Sequence, residues 1–236
     1  MDESQRNRKS FNPSGRGDNV AWNAKIFAGF LLEGNEDAAW EAAMNAIHSY
    51  NNRTQLFEEL ITKAMQHIGE LWETDQISVA DEHLATSTCE YILARFQHEL
   101  KHTQTIKQLR EKKAMFMCLE NEQHDIGLKM VSQVFEEYGW KTRLLGANLP
   151  LEDALKAAEK WQPSIIGLSF SIWYHAELLS TYIHALEKLS HKPIVMVGGR
   201  LLANYDFTAY CSENTKLFPT LTELHSWLLN HSSQGV

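Results

Sequence analysis

The stretch Glu120-Asn121-Glu122-Gln123-His124-Asp125-Ile126-Gly127 follows directly on the apolar run Ala114 to Leu119. An imidazole among three carboxylates and two amides, closed by a glycine, can be a solvated turn. It can equally be a site for a metal or cofactor, with the imidazole as ligand and a carboxylate holding its second nitrogen. Two further stretches of small residues end apolar runs in the same way: Ser169 and Ser171 close "SIIGLSFS", and Gly198 and Gly199 close "PIVMVGG". Taken singly, a serine at such an end caps something and a glycine pair turns the chain. Nearer the N-terminus, Trp72 and the pair Glu82-His83 flank a break between helical patterns. An indole offers a flat apolar wall to a ring, and a carboxylate beside an imidazole offers hydrogen bonds. The plainer readings are a core Trp72 in register with Met65 and Ile68, and a Glu82 that complements a helix dipole.

The elements that must position these residues come in two kinds. From Asn19 to about Thr103 the segments "NVAWNAKIFAGFLLEGN", "EDAAWEAAMNAIHSY", "RTQLFEELITKAMQHIGELWETD" and "SVADEHLATSTCEYILARFQHEL" place apolar residues three and four apart, the period of a helix. "EGNED" and "YNNRT" break the pattern, and Ser78 with Asp81 forms a capping pair ahead of the last segment. Residues 19–103 therefore read as a four-helix bundle, preceded by a polar, flexible tail over 1–18 and followed by a basic linker over 104–112. Beyond it the period changes. "KAMFMCLE", "KTRLLG", "SIIGLSF" and "PIVMVGG" are short apolar runs rich in branched residues, with a weaker fifth run at Lys216 to Phe218. Helical patterns over 126–138, 151–161, 175–189 and 219–230 alternate with them. Residues 113–236 thus read as a flavodoxin-like, doubly wound parallel sheet of about five strands, because parallel neighbours need a crossover and a helix usually supplies it. In such sheets ligands gather beyond the C-terminal strand ends, where the three stretches fall.

Composition narrows the function. A formal charge of -8 among 236 residues argues against direct nucleic-acid binding, which rests on clustered Lys and Arg. No apolar stretch reaches the length of a membrane span and the N-terminal tail has no signal-peptide core, so a cytoplasmic setting without membrane attachment is expected. Cys89, Cys118 and Cys211 are odd in number and far apart, with Cys118 reading as a buried thiol.

Taken together, the spacing resembles a known family. Glu122-Gln-His124-Asp-Ile-Gly127, then 41 residues, Ser169-Phe-Ser171, then 26 residues, Gly198-Gly199 is similar to the motif of the cobalamin-binding domains of methionine synthase, corrinoid methyltransferases and cobalamin-dependent mutases. The resemblance implies cobalt-containing cobalamin bound base-off, with His124 as the lower axial ligand. Glu122 would hold the other imidazole nitrogen, Gln123, Asp125, Ile126 and Gly127 would complete the loop, and Ser169, Ser171, Gly198 and Gly199 would border a slot for the displaced benzimidazole tail. The chain departs from the pattern at Glu122, where the family has Asp, at Ser171, where it has Leu, and at His175, where related domains carry a second Ser of the relay behind the carboxylate. Trp72, nine residues, then Glu82-His83 resembles the helical cap of light-sensing adenosylcobalamin-dependent repressors, in which these residues face the upper axial group. The chain has Glu73 where those proteins have a His, and the 18 N-terminal residues are too few for their DNA-binding domain.

The resemblance therefore implies a stand-alone sensor or binding protein rather than an enzyme, one that takes adenosylcobalamin, responds to light or to cofactor and signals to a protein partner. The alternative is a corrinoid carrier that takes methylcobalamin and serves a methyltransferase system. Homo-oligomerisation is compatible with both, and neither assigns a catalytic residue.

Overall fold

A computed structural model describes residues 23–50, 52–103, 112–171 and 173–233. The tail expected over 1–18 and the linker over 104–112, Lys112 excepted, lie outside the described residues. Five α-helices form the first part: α1 (Ala24–Leu32), α2 (Glu36–Ile47), α3 (Arg53–Leu56), α4 (Lys63–Glu73) and α5 (Val79–Thr103). Four of their starts, all but that of α4, are set by side chains that replace missing helical acceptors. Asn23, Asn35 and Asn52 accept from the N–H groups of Lys25, Ala38 and Gln55 at 2.8, 3.1 and 2.9 Å, contacts of a kind worth about 1 kcal/mol each. The predicted pair at the start of α5 closes reciprocally: Ser78 N–H donates to Asp81 Oδ2 at 2.8 Å and Asp81 N–H donates to Ser78 Oγ at 3.2 Å.

The third predicted helix is interrupted, because α3 and α4 are joined by a π-helical stretch, Phe57–Thr62. The wider turn buries Phe57, Leu60 and Ile61 together and leaves Glu58 facing outward to accept from Thr222 N–H at 3.1 Å. Insertions of this kind usually have a local partner, and here it is the N-terminus of the last helix.

The second part alternates strand and helix: β1 (Lys113–Cys118), α6 (Ile126–Glu137), β2 (Lys141–Gly146), α7 (Leu151–Trp161), β3 (Ile165–Ser169), α8 (Ala176–Glu187), β4 (Ile194–Gly198), β5 (Lys216–Phe218) and α9 (Leu221–Ser233). All pairings are parallel, in the order β2-β1-β3-β4-β5. The chain is thus an all-α cap followed by a doubly wound Rossmann-like sheet. Only the β4–β5 crossover lacks a full helix; it runs through 3-10 turns at Arg200–Ala203 and Thr208–Tyr210.

One face of the sheet shares a continuous core with the bundle, from Phe27 and Ile61 through Leu93 to Phe116, Phe135 and Leu228. The other face packs α7 and α8 through Trp161, Leu179 and Ile183. The cap is therefore fused to the sheet through α5, α6 and α9. Among the described residues no helix is long and apolar enough to cross a membrane.

Candidate functional site

In a sheet of this order the chain winds away from β1 in one direction and from β3 in the other, and the divergence leaves a crevice at their C-terminal ends. Register places Cys118 opposite Ser169, Ser169 opposite Gly198 and Gly198 opposite Phe218, so the predicted strand ends form one row. The β1 turn is held open by two asparagines in left-handed conformation, Asn121 (φ 65°) and Asn148 (φ 52°). Asn121 N–H donates to Asn148 Oδ1 at 2.8 Å, and Asn148 N–H donates to the Glu122 carbonyl at 2.8 Å.

That brace aims Glu122 inward and His124 outward. Glu122 is 0% exposed, whereas 68% of the His124 side chain faces solvent. Glu122 Oε1 accepts from the His124 backbone N–H at 3.0 Å and lies 2.6 Å from His124 Nδ1. An ionised carboxylate can only accept, so Nδ1 carries the proton and the Nε2 lone pair is left to bind a ligand. Glu122 Oε2 accepts from the backbone N–H of Ser171 and, at 2.8 Å, from its hydroxyl. Burial pushes the Glu122 carboxyl up, but the bonds from His124 and Ser171 outweigh it and hold it down at about 2. The hydrogen bond to Glu122 raises His124 despite its own burial, with Arg200 opposing and Glu82 of the cap adding to the rise.

Cys118 donates weakly to the His124 carbonyl at 3.6 Å, and burial followed by Glu122 and Asp125 pushes its thiol up to about 12. It stays a thiol at neutral pH and does not compete as a thiolate ligand.

His175 does not join the carboxylate. It sits at the N-terminus of α8 with Nδ1 buried and without a hydrogen-bond partner, and Ser171 occupies the position behind Glu122. Gln123 is exposed, Ile126 opens α6 half-buried, and Gly127 has open space where a side chain would stand. Gly199 is confined by its surroundings. Its φ of 153° and ψ of 156° fall where only glycine rests comfortably, and a Cβ there would lie 2.3 Å from the Phe170 carbonyl oxygen. Gly199→Ala is expected to cost about 3 kcal/mol of stability, read as a lowered denaturation midpoint.

Beyond the glycine pair a cavity of about 370 Å³ is walled by Leu202, Tyr205, Phe207, Leu217 and Pro219. An aromatic cluster flanks it, with Trp173 5.0 Å from Tyr205 and 5.1 Å from Phe207 between ring centroids. Tyr205 and Phe207 lie in the segment 200–211, which shows no period of its own to mark them.

In the cap, Trp72 ends α4 and is 47% exposed, so it is not a core residue. Glu82 lies in the first turn of α5, accepts from Thr86 Oγ1 at 2.9 Å and stands 3.8 Å from His83 Nε2. Its charge adds to the rise at His124.

Residues 112–211 match a family model described as "B12 binding domain", and residues 27–97 match a second model of the same description. The chain belongs to the cobalamin-binding domain family. Among curated relatives of this cobalamin-binding protein, the HTH-type transcriptional repressor CarH of Myxococcus xanthus is 29% identical over 113 residues, covering 48% of this chain and 36% of the repressor. A corrinoid protein of Desulfitobacterium hafniense strain Y51 is 23% identical over 177 residues, covering 72% of this chain and 79% of that protein. The chain thus spans about a third of the repressor's length and most of the corrinoid protein's. The solved monomethylamine corrinoid protein of Methanosarcina barkeri superposes with a TM-score of 0.66 at 16% identity, covering 88% of this chain and 97% of that one, a likeness of fold.

The donor set would suit a cobalt corrinoid: an imidazole with one nitrogen tied to a carboxylate would offer the other to the metal. The tautomer that Glu122 selects leaves that nitrogen free of the carboxylate, and Gly127 on the same loop has open space beside it.

Proposed function

We propose that this protein binds adenosylcobalamin base-off between the helical cap and the α/β layer, and acts as a light or cofactor sensor that signals to a protein partner. Residues 19–103 are the cap in this reading, 104–112 the linker and 113–236 the cofactor domain. The observation that carries the cobalamin geometry is the Ser171–Glu122–His124 relay. It locks the imidazole with Nε2 outward, raises its basicity and so makes it a stronger axial donor. His124 is the cobalt ligand. Gln123, Asp125, Ile126 and Gly127 would hold the corrin from the His124 side, while Ser169, Ser171, Gly198 and Gly199 would border a slot for the displaced tail.

The upper face is the cap's. Trp72, half exposed at the end of α4, offers an indole wall, and Glu82 and His83 stand ready to bond ribose hydroxyls. Bound adenosylcobalamin supplies a light-labile cobalt–carbon bond. Losing the adenosyl contacts to Trp72 and Glu82 changes the relative stability of the cap's positions, and this differential affinity drives the signal. The acidic charge balance supports a protein partner rather than DNA, and three free cysteines suit the cytoplasm.

Reconstitution in the dark is expected to give a His-ligated, base-off spectrum, and illumination to change that spectrum together with assembly state. An adenosyl form no more photolabile than free cofactor, with assembly unchanged, sinks the sensor reading.

A second reading, a methyl carrier for a methyltransferase system, draws support from the long alignment with a corrinoid protein. Parallel titration with methylcobalamin and adenosylcobalamin separates the two: tighter binding of the methyl form favours the carrier.

A further inference from the structure

Helices α5 and α6 meet along one polar stripe on each. On α6 it runs through Lys129, Gln133 and Glu136, and on α5 through Glu90, Leu93 and Gln97. Lys129 Nζ donates to Glu90 Oε1 at 2.7 Å, Gln133 Nε2 to the Leu93 carbonyl at 2.8 Å, and Gln97 Nε2 to Glu136 Oε1 and Oε2 at 3.1 and 3.0 Å. The pairs advance together, so the helices run in the same direction and both begin at the cofactor end.

Lys129 differs from the rest of the stripe. Its ammonium also donates to Asp125 Oδ1 at 2.7 Å, and Asp125 is the residue next to His124. One half-buried cation therefore ties the loop of His124 to the cap helix. Eight residues before Glu90, about 12 Å along the axis, the same helix carries Glu82. Nothing else among the described α5–α6 hydrogen bonds lies closer to the site.

We infer that Lys129 is a positioning residue that sets the height of Trp72, Glu82 and His83 above His124, and so the room available to the group on the upper face of the cofactor. The inference rests on the reading of the site given above. An isolated exposed ion pair contributes little to stability, but a cation shared by two carboxylates fixes a geometry. Lys129→Met removes the cation and leaves Asp125 and Glu90 without their common partner. Lys129→Arg keeps the charge and the reach to both. Gln97→Ala breaks a bond of the same stripe far from the site and reports what mere loosening of the interface does.

Apoprotein is titrated with adenosylcobalamin and hydroxocobalamin, and hydrogen exchange is followed over residues 82–90 without cofactor. Wild type is expected to distinguish the two corrinoids. In Lys129→Met the ratio of dissociation constants should fall about five-fold or more, with amide exchange over 82–90 roughly ten-fold faster. Lys129→Arg should restore both, and Gln97→Ala should lower the melting temperature while leaving both near wild type. A wild-type ratio of one, a Lys129→Met ratio equal to wild type's, or an equal effect of Gln97→Ala overturns the inference. If wild type binds no corrinoid at all, the reading of the site fails instead, and the exchange rates alone decide whether Lys129 pins the cap.

Discussion

His124→Ala is expected to weaken binding of adenosylcobalamin about 100-fold and to replace the imidazole-ligated spectrum with a water-ligated one, at a cost to the apoprotein of only about 1 kcal/mol. The two effects separate because of where the side chain sits. Most of the ring is in solvent, so folding gains little from it, and the backbone N–H at 124 still bonds Glu122 Oε1 when the ring is gone. What disappears is the axial nitrogen. The cavity beyond the glycine pair and the cap remain, so residual binding should persist, and free imidazole added to the variant should return the absorption bands toward wild type. Visible titration of dark apoprotein measures all of this, and an unchanged spectrum removes His124 from the cobalt.

This prediction could be framed from residue order alone, and the reason is physical. A parallel sheet makes strand ends converge, so spacings of 41 residues from Gly127 to Ser169 and 26 from Ser171 to Gly198 translate into one row across β1, β3 and β4. The helix period likewise exposed the four bundle segments, and Ser78 with Asp81 marked the start of α5 to the residue. What stayed hidden depends on partners distant in sequence. The π-helical stretch Phe57–Thr62 has no local signature, because its reason is Thr222 on α9. Nothing local marks Lys129, whose partner Glu90 is 39 residues away in sequence. Related domains place a second relay serine where this chain has His175, and here Ser171 supplies the hydroxyl. Glu122 carries one more methylene than the family's Asp, and its second oxygen meets Ser171 at the end of β3 instead. The departure at 122 and the departure at 171 are thus one feature, a longer carboxylate with a hydroxyl placed to receive it.

That pairing makes Glu122 the residue whose replacement has the largest effect on the fold and the cofactor together. Glu122→Gln preserves shape and removes half of the acceptors. Three N–H groups and one hydroxyl converge on the carboxylate, from the backbone and ring of His124 and from the backbone and side chain of Ser171. An amide has one acceptor oxygen, so it satisfies one side or the other. With its oxygen toward His124, the amide NH₂ faces the Ser171 N–H, and a buried donor loses its partner. With its oxygen toward Ser171, the NH₂ faces Nδ1, which must then accept; the ring proton moves to Nε2 and blocks the nitrogen meant for cobalt. The expected cost is about 2–4 kcal/mol of stability, from a buried network left partly unpaired, and a 10- to 100-fold loss of cofactor affinity. Glu122→Asp keeps the charge but shortens the reach, so one of the two partners is lost: affinity should fall while most of the stability remains if the retained partner is Ser171, and the converse if it is His124. Chemical denaturation of the apoprotein and corrinoid titration, run on both variants, read these terms independently. A Glu122→Gln protein as stable and as tightly loaded as wild type would mean that the carboxylate does not hold His124.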